Sequence, residues 1–337
     1  MPFIKDILNY KSISFVGMDK NAGKTEALNY VISRLHSFSK KISVTSIGID
    51  GETLDQVTAT AKPKVFVYPE TIFVTSEKLY DSKQIISSVC GLSHYSTSLG
   101  RLVTAEAKSY GNVMLSGPTN SVWLKETIDT LNKQSDICLI DGALSRKSFA
   151  SPSITEAMIL STGAVVSANI DKITDKTKFM YDMTKLPTVE KTLSEKLSKI
   201  TFGIHSIIDN EGNTEDLQIP SLLMLDKYKD VIFSKGKTLF VSGMITDKLI
   251  ELIKTRGKAE EYTLITRDFT HIFSSPLNTR WFLSNGGKIL CLHQTKLLAI
   301  TANPVSPLGF KINNEAMLFS LREKINLPIY NIRDIKL

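Results

Sequence analysis

The sequence predicts an α/β protein with a mainly parallel sheet. Short apolar runs typical of buried strands alternate with segments whose apolar residues recur at helical spacing. In the clearest case, an apolar strand at 14–16 enters a glycine-containing loop, and a helix with Leu28, Val31, Ile32 and Leu35 on one face follows. A second apolar strand, at 136–143, ends in an acidic residue and a glycine. Such alternation is typical of parallel sheets covered by helices.

Composition is that of a folded globular protein. Of the 337 residues, 42% are hydrophobic and 22% are charged, which argues against disorder. The longest apolar stretch, near 158–168, is shorter than the ~20 residues that span a bilayer. Residues 1–11 contain Lys5, Asp6 and Lys11 and no apolar signal segment. We therefore expect a cytoplasmic protein that does not enter a membrane.

The charged and metal-binding residue types exclude some classes of function. The formal net charge of +7 suits an anionic ligand or an acidic partner, but no arginine stripe with interleaved aromatic residues predicts nucleic-acid binding. Cys90, Cys138 and Cys291 are scattered along the chain, and the five histidines lie far from them. Neither a zinc site nor a disulfide framework is predicted.

The segment GMDKNAGKT at 17–25 predicts a site for nucleotide phosphates. Its glycines permit backbone angles that direct successive N–H groups at an anion, and its lysine supplies a cation. The threonine hydroxyl would bind Mg²⁺, and the following helix directs its positive end at the phosphates. The alternative is a glycine-containing turn that spells GKT by chance. The predicted nucleotide contacts are Gly17, Asp19, Lys20, Asn21, Ala22, Gly23, Lys24 and Thr25.

Acidic residues at strand ends are the predicted partners of this loop. Asp141 ends an apolar strand, which can hold one carboxylate where it binds Mg²⁺ and aligns attack on a γ-phosphate. A strand-end turn is the alternative for Asp141 taken alone. We predict that Lys24 and Asp141 are catalytic and that Thr25 and Asp141 bind metal.

Two further groups of charged residues follow predicted strands. A strand at 41–49 ends at Asp50, Gly51 and Glu52. Asp50 or Glu52 would hold metal through water or respond to the γ-phosphate, with a solvated turn as the alternative. Of the two, we predict Asp50 to be catalytic and metal-binding. Arg146 and Lys147 follow Asp141 and either stabilise a transferring phosphate or belong to a solvated loop.

Short β-type runs interrupt the strand–helix alternation. The runs at 65–67 and 72–74 predict one hairpin, and those at 102–107 and 113–115 predict another. Antiparallel pairs do not belong to a plain βα alternation, so 61–116 is predicted to be a β-rich insertion.

The remaining pattern predicts a core with a second insertion. Residues 1–190 form the nucleotide-binding core, and 191–293 are an α/β insertion or satellite domain with a strand and helix at 239–253 and a helix around Trp281. Residues 294–337 return to the core and carry the predicted base-binding loop.

The phosphate loop resembles that of dethiobiotin synthetase and its relatives, a branch of P-loop NTPases with mostly parallel sheets and the loop form GxDxxxGKT. Asp19 falls on the family's Asp. Related partition ATPases carry there a lysine that reaches across a dimer; Asp19 argues against that mechanism, and Lys20 leaves it open. An Asn after a later strand contacts adenine in the family. The resemblance therefore implies Asn303 and Pro304 as base-binding positions, with a polar turn as the alternative.

Six patches along the chain carry a closer resemblance. They are GMDKNAGKT, SIGIDGE (46–52), AKP (61–63), SGPTNS (116–121), IDGALSRKSFASP (140–152) and TANPVSPLG (301–309). These patches resemble the ATP-binding reactivase subunit associated with lysine 5,6-aminomutase, a coenzyme-B12-dependent enzyme. The resemblance implies an ATPase that uses ATP and Mg²⁺ to release damaged cobalamin from the mutase, with the mutase and a second reactivase subunit as candidate partners.

Two other functions fit the same motifs. One is a biosynthetic kinase or ligase that acts on a small carboxylate, as dethiobiotin synthetase does. The other is a nucleotide-sensing adaptor that binds without hydrolysis. ATP is favoured over GTP only through Asn303.

Overall fold

The computed structural model describes residues 3–48, 64–143, 151, 154–209 and 211–335. It is a mixed α/β protein with large, mostly parallel sheets. The strands are β1 (Ser12–Gly17), β2 (Ile42–Ser46), β3 (Val65–Val67), β4 (Ile72–Ser76), β5 (Ser87–Thr97), β6 (Gly100–Ala107), β7 (Gly111–Val113), β8 (Ile137–Ala143), β9 (Ala157–Gly163), β10 (Ile204–Ile207), β11 (Thr214–Ile219), β12 (Thr238–Val241), β13 (Thr263–Thr266), β14 (Lys288–Cys291), β15 (Lys296–Asn303) and β16 (Ile329–Tyr330). The helices are α1 (Ile4–Ile7), α2 (Lys24–Ser37), α3 (Glu77–Asp81), α4 (Ser121–Asn132), α5 (Ile170–Thr184), α6 (Lys191–Ser198), α7 (Leu225–Tyr228), α8 (Asp247–Arg256), α9 (Pro276–Ser284) and α10 (Asn314–Lys324).

A nine-stranded sheet organises the first structural unit, with the order β16-β15-β9-β1-β8-β2-β4-β6-β5. Every neighbouring pair from β16 to β4 is parallel. The pairs β4–β6 and β6–β5 are antiparallel. The predicted parallel α/β sheet is thus confirmed for the part of the sheet that contains β1 and β8.

Both faces of this sheet are covered by apolar side chains. Ile137 and Leu139 of β8 pack in the cluster that includes the buried face of α2. Cys138 and Ile140 point to the other face and pack with α4. Because strand side chains alternate between faces, a continuously apolar strand such as β8 is stable only between two covering layers.

The helices form where their sequences favour them. Helix α2 buries Leu28, Val31, Ile32 and Leu35 on one face, as the helical spacing predicts. Helix α4 begins after Asn120, whose side chain accepts a hydrogen bond from the Trp123 amide. This N-cap satisfies one of the free N–H groups at the helix start.

The two predicted hairpins are wrong. β3 pairs with β7 rather than with β4, and β4 lies in the main sheet between β2 and β6. The hairpin in this region joins β5 to β6. All five residues of β4 are buried, and burial within the large sheet outweighs the short connection to β3.

The second structural unit comprises residues 179–295, and the first comprises 1–178 with 296–337. The predicted limits of the second region were 191 and 293. The second unit contains a five-stranded sheet with the order β11-β10-β12-β13-β14. β12, β13 and β14 are parallel, while β10 is antiparallel to both of its neighbours.

Among the described residues, no helix combines the length and apolar character needed to cross a bilayer.

Candidate functional site

The position of β1 brings the sequence-predicted loop to the centre of the main sheet. From β1 the chain passes to β2 and β4 on one side and later to β9, β15 and β16 on the other. Ligands of open parallel sheets bind where strand order reverses in this way, outside the carboxyl ends of the strands. The loop at 18–23 lies at that point.

The loop is fixed by hydrogen bonds of its own. The Asp19 carboxylate accepts from the Lys20 amide at 2.8 Å, and its carbonyl accepts from the Ala22 amide at 3.3 Å. The Met18 amide donates to the Ser161 carbonyl of β9 at 2.8 Å. Asp19 therefore shapes the loop, and Met18 attaches it to β9.

The start of α2 is suited to an anion. Asn21 and Gly23 have positive φ angles of 62° and 94°, and Gly23 is the N-cap of α2 without a side-chain acceptor. N–H groups of a first helical turn have no intrahelical acceptor and carry the positive end of the helix dipole. An anion placed here would receive hydrogen bonds from these groups.

Gly17 allows the loop to fold closely over the end of β1. A Cβ atom at this position would lie 3.0 Å from the Asp19 carbonyl oxygen and 3.6 Å from Cδ of Lys24. A side chain here would press on the loop backbone at Asp19, whereas its contact with Lys24 would be an ordinary van der Waals contact.

The structure brings Lys24 and Asp141 into direct contact. Lys24 Nζ lies 2.7 Å from Asp141 Oδ1, and the two side chains are 20% and 13% exposed. Asp141 reaches this point because β8 is the direct neighbour of β1, with Phe15 opposite Asp141 in the register. Thr25, the next residue of α2, is 6% exposed. An ion pair that is largely shielded from water is stronger than one on the surface.

A second glycine-containing segment, residues 116–118, lies at the sheet edge next to Asp141. The Asp141 carbonyl accepts from the Ile47 amide at 3.1 Å, and Ser46 is its register partner. Gly117 packs on Ser46 so closely that a Cβ atom would lie 1.6 Å from the Ser46 carbonyl oxygen. The Gly117 amide donates to the Gly48 carbonyl at 3.1 Å. The segment 116–118 is thereby held at the carboxyl end of β2.

Asn303 is held at the end of β15 by its neighbour strand. It lies opposite Gly163 of β9, and its carbonyl accepts from the Ala164 amide at 2.8 Å. Gly163 has a φ of 150°, and a Cβ atom there would lie 1.9 Å from the Asn303 carbonyl oxygen. Only glycine permits this approach.

The side chain of Asn303 lies against the start of α2. A Cβ atom at Gly23 would lie 3.3 Å from the Asn303 Cβ. Asn303 Oδ1 accepts from the Val305 amide at 3.1 Å. The next residue, Pro304, is buried, and its carbonyl accepts from the Ile312 amide at 3.0 Å. The structure thus places the predicted base-binding residue beside the predicted phosphate loop.

A small pocket next to Gly23 includes residues that the sequence analysis did not predict. Glu26, in the first turn of α2, accepts hydrogen bonds from Arg333 Nε at 2.9 Å and Nη2 at 2.6 Å. Asn331 accepts from the Arg333 amide at 3.1 Å and caps the turn Ile332–Asp334. No local sequence signal connects these residues. The pocket is lined by Ala22, Gly23, Glu26, Thr301, Ala302, Asn303, Asn331 and Ile332.

Another depression lies at the opposite edge of the main sheet. That edge carries the amino ends of β1 and β8, whereas parallel sheets bind ligands at their carboxyl ends. We therefore assign the candidate site to the carboxyl edge. The other depression is lined by Leu8, Asn9, Tyr10, Lys11, Lys40, Asp136 and Ile137.

Four predicted residues lie outside the described part of the chain. They are Asp50, Glu52, Arg146 and Lys147, and their predicted roles stay predictions. Within the described ranges, no three His, Cys, Asp or Glu side chains gather into a metal site.

No protein-family model, curated protein or solved structure matches the chain.

Proposed function

We propose that the protein binds and hydrolyses ATP at the carboxyl edge of its main sheet. The observation that carries the proposal is the 2.7 Å contact between Lys24 Nζ and Asp141 Oδ1, two residues 117 positions apart. They belong to the two motifs that a nucleoside triphosphate site combines, a cationic glycine-containing loop and a strand-end carboxylate.

The residues around this contact fit a magnesium–triphosphate ligand. Lys24 and the first-turn N–H groups of α2 would hold phosphate oxygens. The Thr25 hydroxyl and the Asp141 carboxylate would hold Mg²⁺, with phosphate oxygens as further ligands. Bound Mg²⁺ would neutralise part of the phosphate charge. Asp141 would also orient the attacking water. On this basis we propose that the protein is a magnesium-dependent nucleoside triphosphatase.

The pocket beside Gly23 marks the side of the site on which we place the base. Its volume of about 10 Å³ is that of a single water, so the pocket would widen when a purine binds. Asn303 Oδ1 is engaged by the Val305 amide, so its amide N–H groups would be the donors toward a base acceptor. Glu26 and Asn331 line the same pocket. Their position next to the phosphate loop supports one continuous nucleotide site.

The particular role that we propose is reactivation of a coenzyme-B12-dependent aminomutase such as lysine 5,6-aminomutase. The resemblance to the reactivase subunit, spread over patches from the phosphate loop to 301–309, supports this role. In such a factor, contacts to the γ-phosphate change the affinity for the partner enzyme. Hydrolysis of ATP removes these contacts.

The test measures ATP turnover by the full chain alone, with the aminomutase carrying inactivated cobalamin, and with small carboxylates. We expect slow turnover alone, a severalfold increase with the mutase, and recovery of mutase activity after intact cofactor is added. ATP binding without any effect of the mutase would contradict the reactivation role. Turnover that requires a small carboxylate would instead indicate a kinase or ligase.

A further inference from the structure

The outer edge of the main sheet lacks the charged residues and prolines that commonly keep sheet edges apart. Among the described strands, β5 is the last of the nine-stranded sheet and pairs only with β6. No Asp, Glu, Lys, Arg or Pro occurs from Gln84 to Gly100, although 22% of the chain is charged. Natural edge strands commonly carry charged residues or prolines that prevent association. This edge has neither.

Large apolar side chains are exposed along the same edge. Ile86 is 71% exposed, Val89 is 52% exposed and Leu92 is 46% exposed. β5 has eleven residues, which corresponds to about 37 Å of strand at ~3.4 Å per residue. Scattered single apolar residues need no explanation, but a group on one open strand indicates an interaction surface.

The pairing between β5 and β6 has two irregularities along the strand. The register passes from Val89–Ala105 to Gly91–Thr104, so Cys90 is a one-residue bulge. Beyond Leu92 the ladder skips three residues of β5, and one of them, Tyr95, stacks on Trp123 with ring centroids 4.2 Å apart. The pairing of residues 87–92 is interrupted only by the Cys90 bulge, so this stretch is the more regular part of the outer edge. It contains two of the three exposed apolar residues.

We propose that two copies of this chain associate through residues 86–92, with their β5 strands antiparallel across a twofold axis. A second copy is the occupant because an antiparallel pair is self-complementary: each strand offers the same N–H and C=O groups and the same uncharged side chains. The net charge of +7 makes copies repel, and the repulsion is least where the surface has no charge. The pairing also continues the antiparallel order of β4, β6 and β5.

The first test is the oligomeric state of the full chain by sedimentation velocity over a range of concentrations. We expect a reversible dimer, because an interface of one strand pair is at the low end of stable interface sizes. The double variant Val89→Lys/Leu92→Lys places four like charges in the interface and should shift the equilibrium to monomer. The matched control Leu8→Lys/Val231→Lys changes residues that are 40% and 46% exposed elsewhere and should remain dimeric.

Cysteine crosslinking locates the interface independently of these variants. Cys90 is exposed, whereas Cys138 and Cys291 are buried. Burial raises the pKa of both buried thiols to about 12, so they react slowly with maleimides. A short bis-maleimide should join two copies of the unaltered protein through Cys90, and Cys90→Ser should prevent the crosslink while preserving the dimer.

A protein that stays monomeric at every concentration would overturn the proposal. So would a dimer that survives Val89→Lys/Leu92→Lys, or one that the bis-maleimide does not join through Cys90. Circular dichroism of each variant establishes that loss of the dimer is not loss of the fold.

Discussion

Lys24 and Asp141 form an ion pair in this structure, and a ligand must replace this interaction when it binds. A ligand with only negative charge must compete with Asp141 for the Lys24 ammonium. A magnesium–triphosphate ligand supplies a cation for the carboxylate and an anion for the ammonium, so neither charge is left without a partner at a site largely shielded from water. In our account, magnesium and triphosphate therefore bind together.

Asp141→Asn tests this competition. The substitution removes the carboxylate charge with little change in size, so we expect magnesium-free tripolyphosphate to bind more tightly by about 1 kcal/mol, the scale of one competing charged contact. Added magnesium should no longer increase its affinity. Isothermal titration in EDTA and in MgCl₂ measures both effects.

Asp129→Asn is the matched control, because Asp129 pairs with Lys125 on α4, with Nζ 3.2 Å from Oδ1. It should bind like the unaltered protein. Weaker tripolyphosphate binding by Asp141→Asn in EDTA would contradict the competition.

Where the signal was local, the sequence located residues that the structure brings together, while their catalytic and metal-binding roles stay predictions. The loop with Lys24 and the strand end with Asp141 each follow a short sequence pattern, and the structure joins them. The pair of Glu26 and Arg333 joins residues 307 positions apart, and neither lies in a pattern that names its partner. Such contacts arise from strand order, which a local pattern does not contain.

At the level of elements, the pocket beside Gly23 depends on how three segments meet. α2 supplies Glu26, β15 supplies Asn303, and the segment after β16 supplies Asn331 and Ile332. Gly163 permits β15 to end close to β9, with the Asn303 carbonyl 2.8 Å from the Ala164 amide. Glu26 lines the pocket, and its ion pair with Arg333 joins the turn Ile332–Asp334 to α2.

Arg333→Gln tests the role of that ion pair. We expect the affinity for ATP to fall severalfold, because the turn that borders the base pocket loses its attachment to α2. The affinity for tripolyphosphate should not change, since this ligand has no base. Titration of both ligands separates the two effects.

The control is Arg101→Gln, which breaks the Arg101–Glu77 pair of similar exposure, 48% and 38% against 54% and 36% for Arg333 and Glu26. It should leave both affinities unchanged. Equal loss of ATP and tripolyphosphate affinity in Arg333→Gln would show that the pair supports the phosphate loop instead.

The elements themselves were predicted better than their pairing. The spacing of apolar residues located α2, α4, β1 and β8. It did not reveal that β4 joins the parallel sheet, because a short apolar run has the same pattern beside either neighbour. Burial on both faces decides the pairing, and burial is a property of the assembled sheet.

For the whole molecule, sequence pattern indicated a second region inserted between two parts of the core. In the structure, the boundaries between the two units fall within α5 and just before β15. Because α5 continues through the first boundary, the composition does not change at that point. The sequence pattern therefore does not locate this boundary. The phosphate loop, Asp141 and Asn303 all lie in the first unit. The proposed nucleotide site therefore belongs to that unit.

The most direct test of the account is the affinity for magnesium–ATP, measured by isothermal titration for the unaltered protein and for Lys24→Ala. The substitution removes the cation and leaves Asp141 without its partner, so we expect binding to weaken by at least about 2 kcal/mol, roughly 30-fold. Lys125→Ala, which removes an exposed lysine of α4, should bind as the unaltered protein does. Equal affinity of Lys24→Ala and the unaltered protein would contradict the nucleotide site.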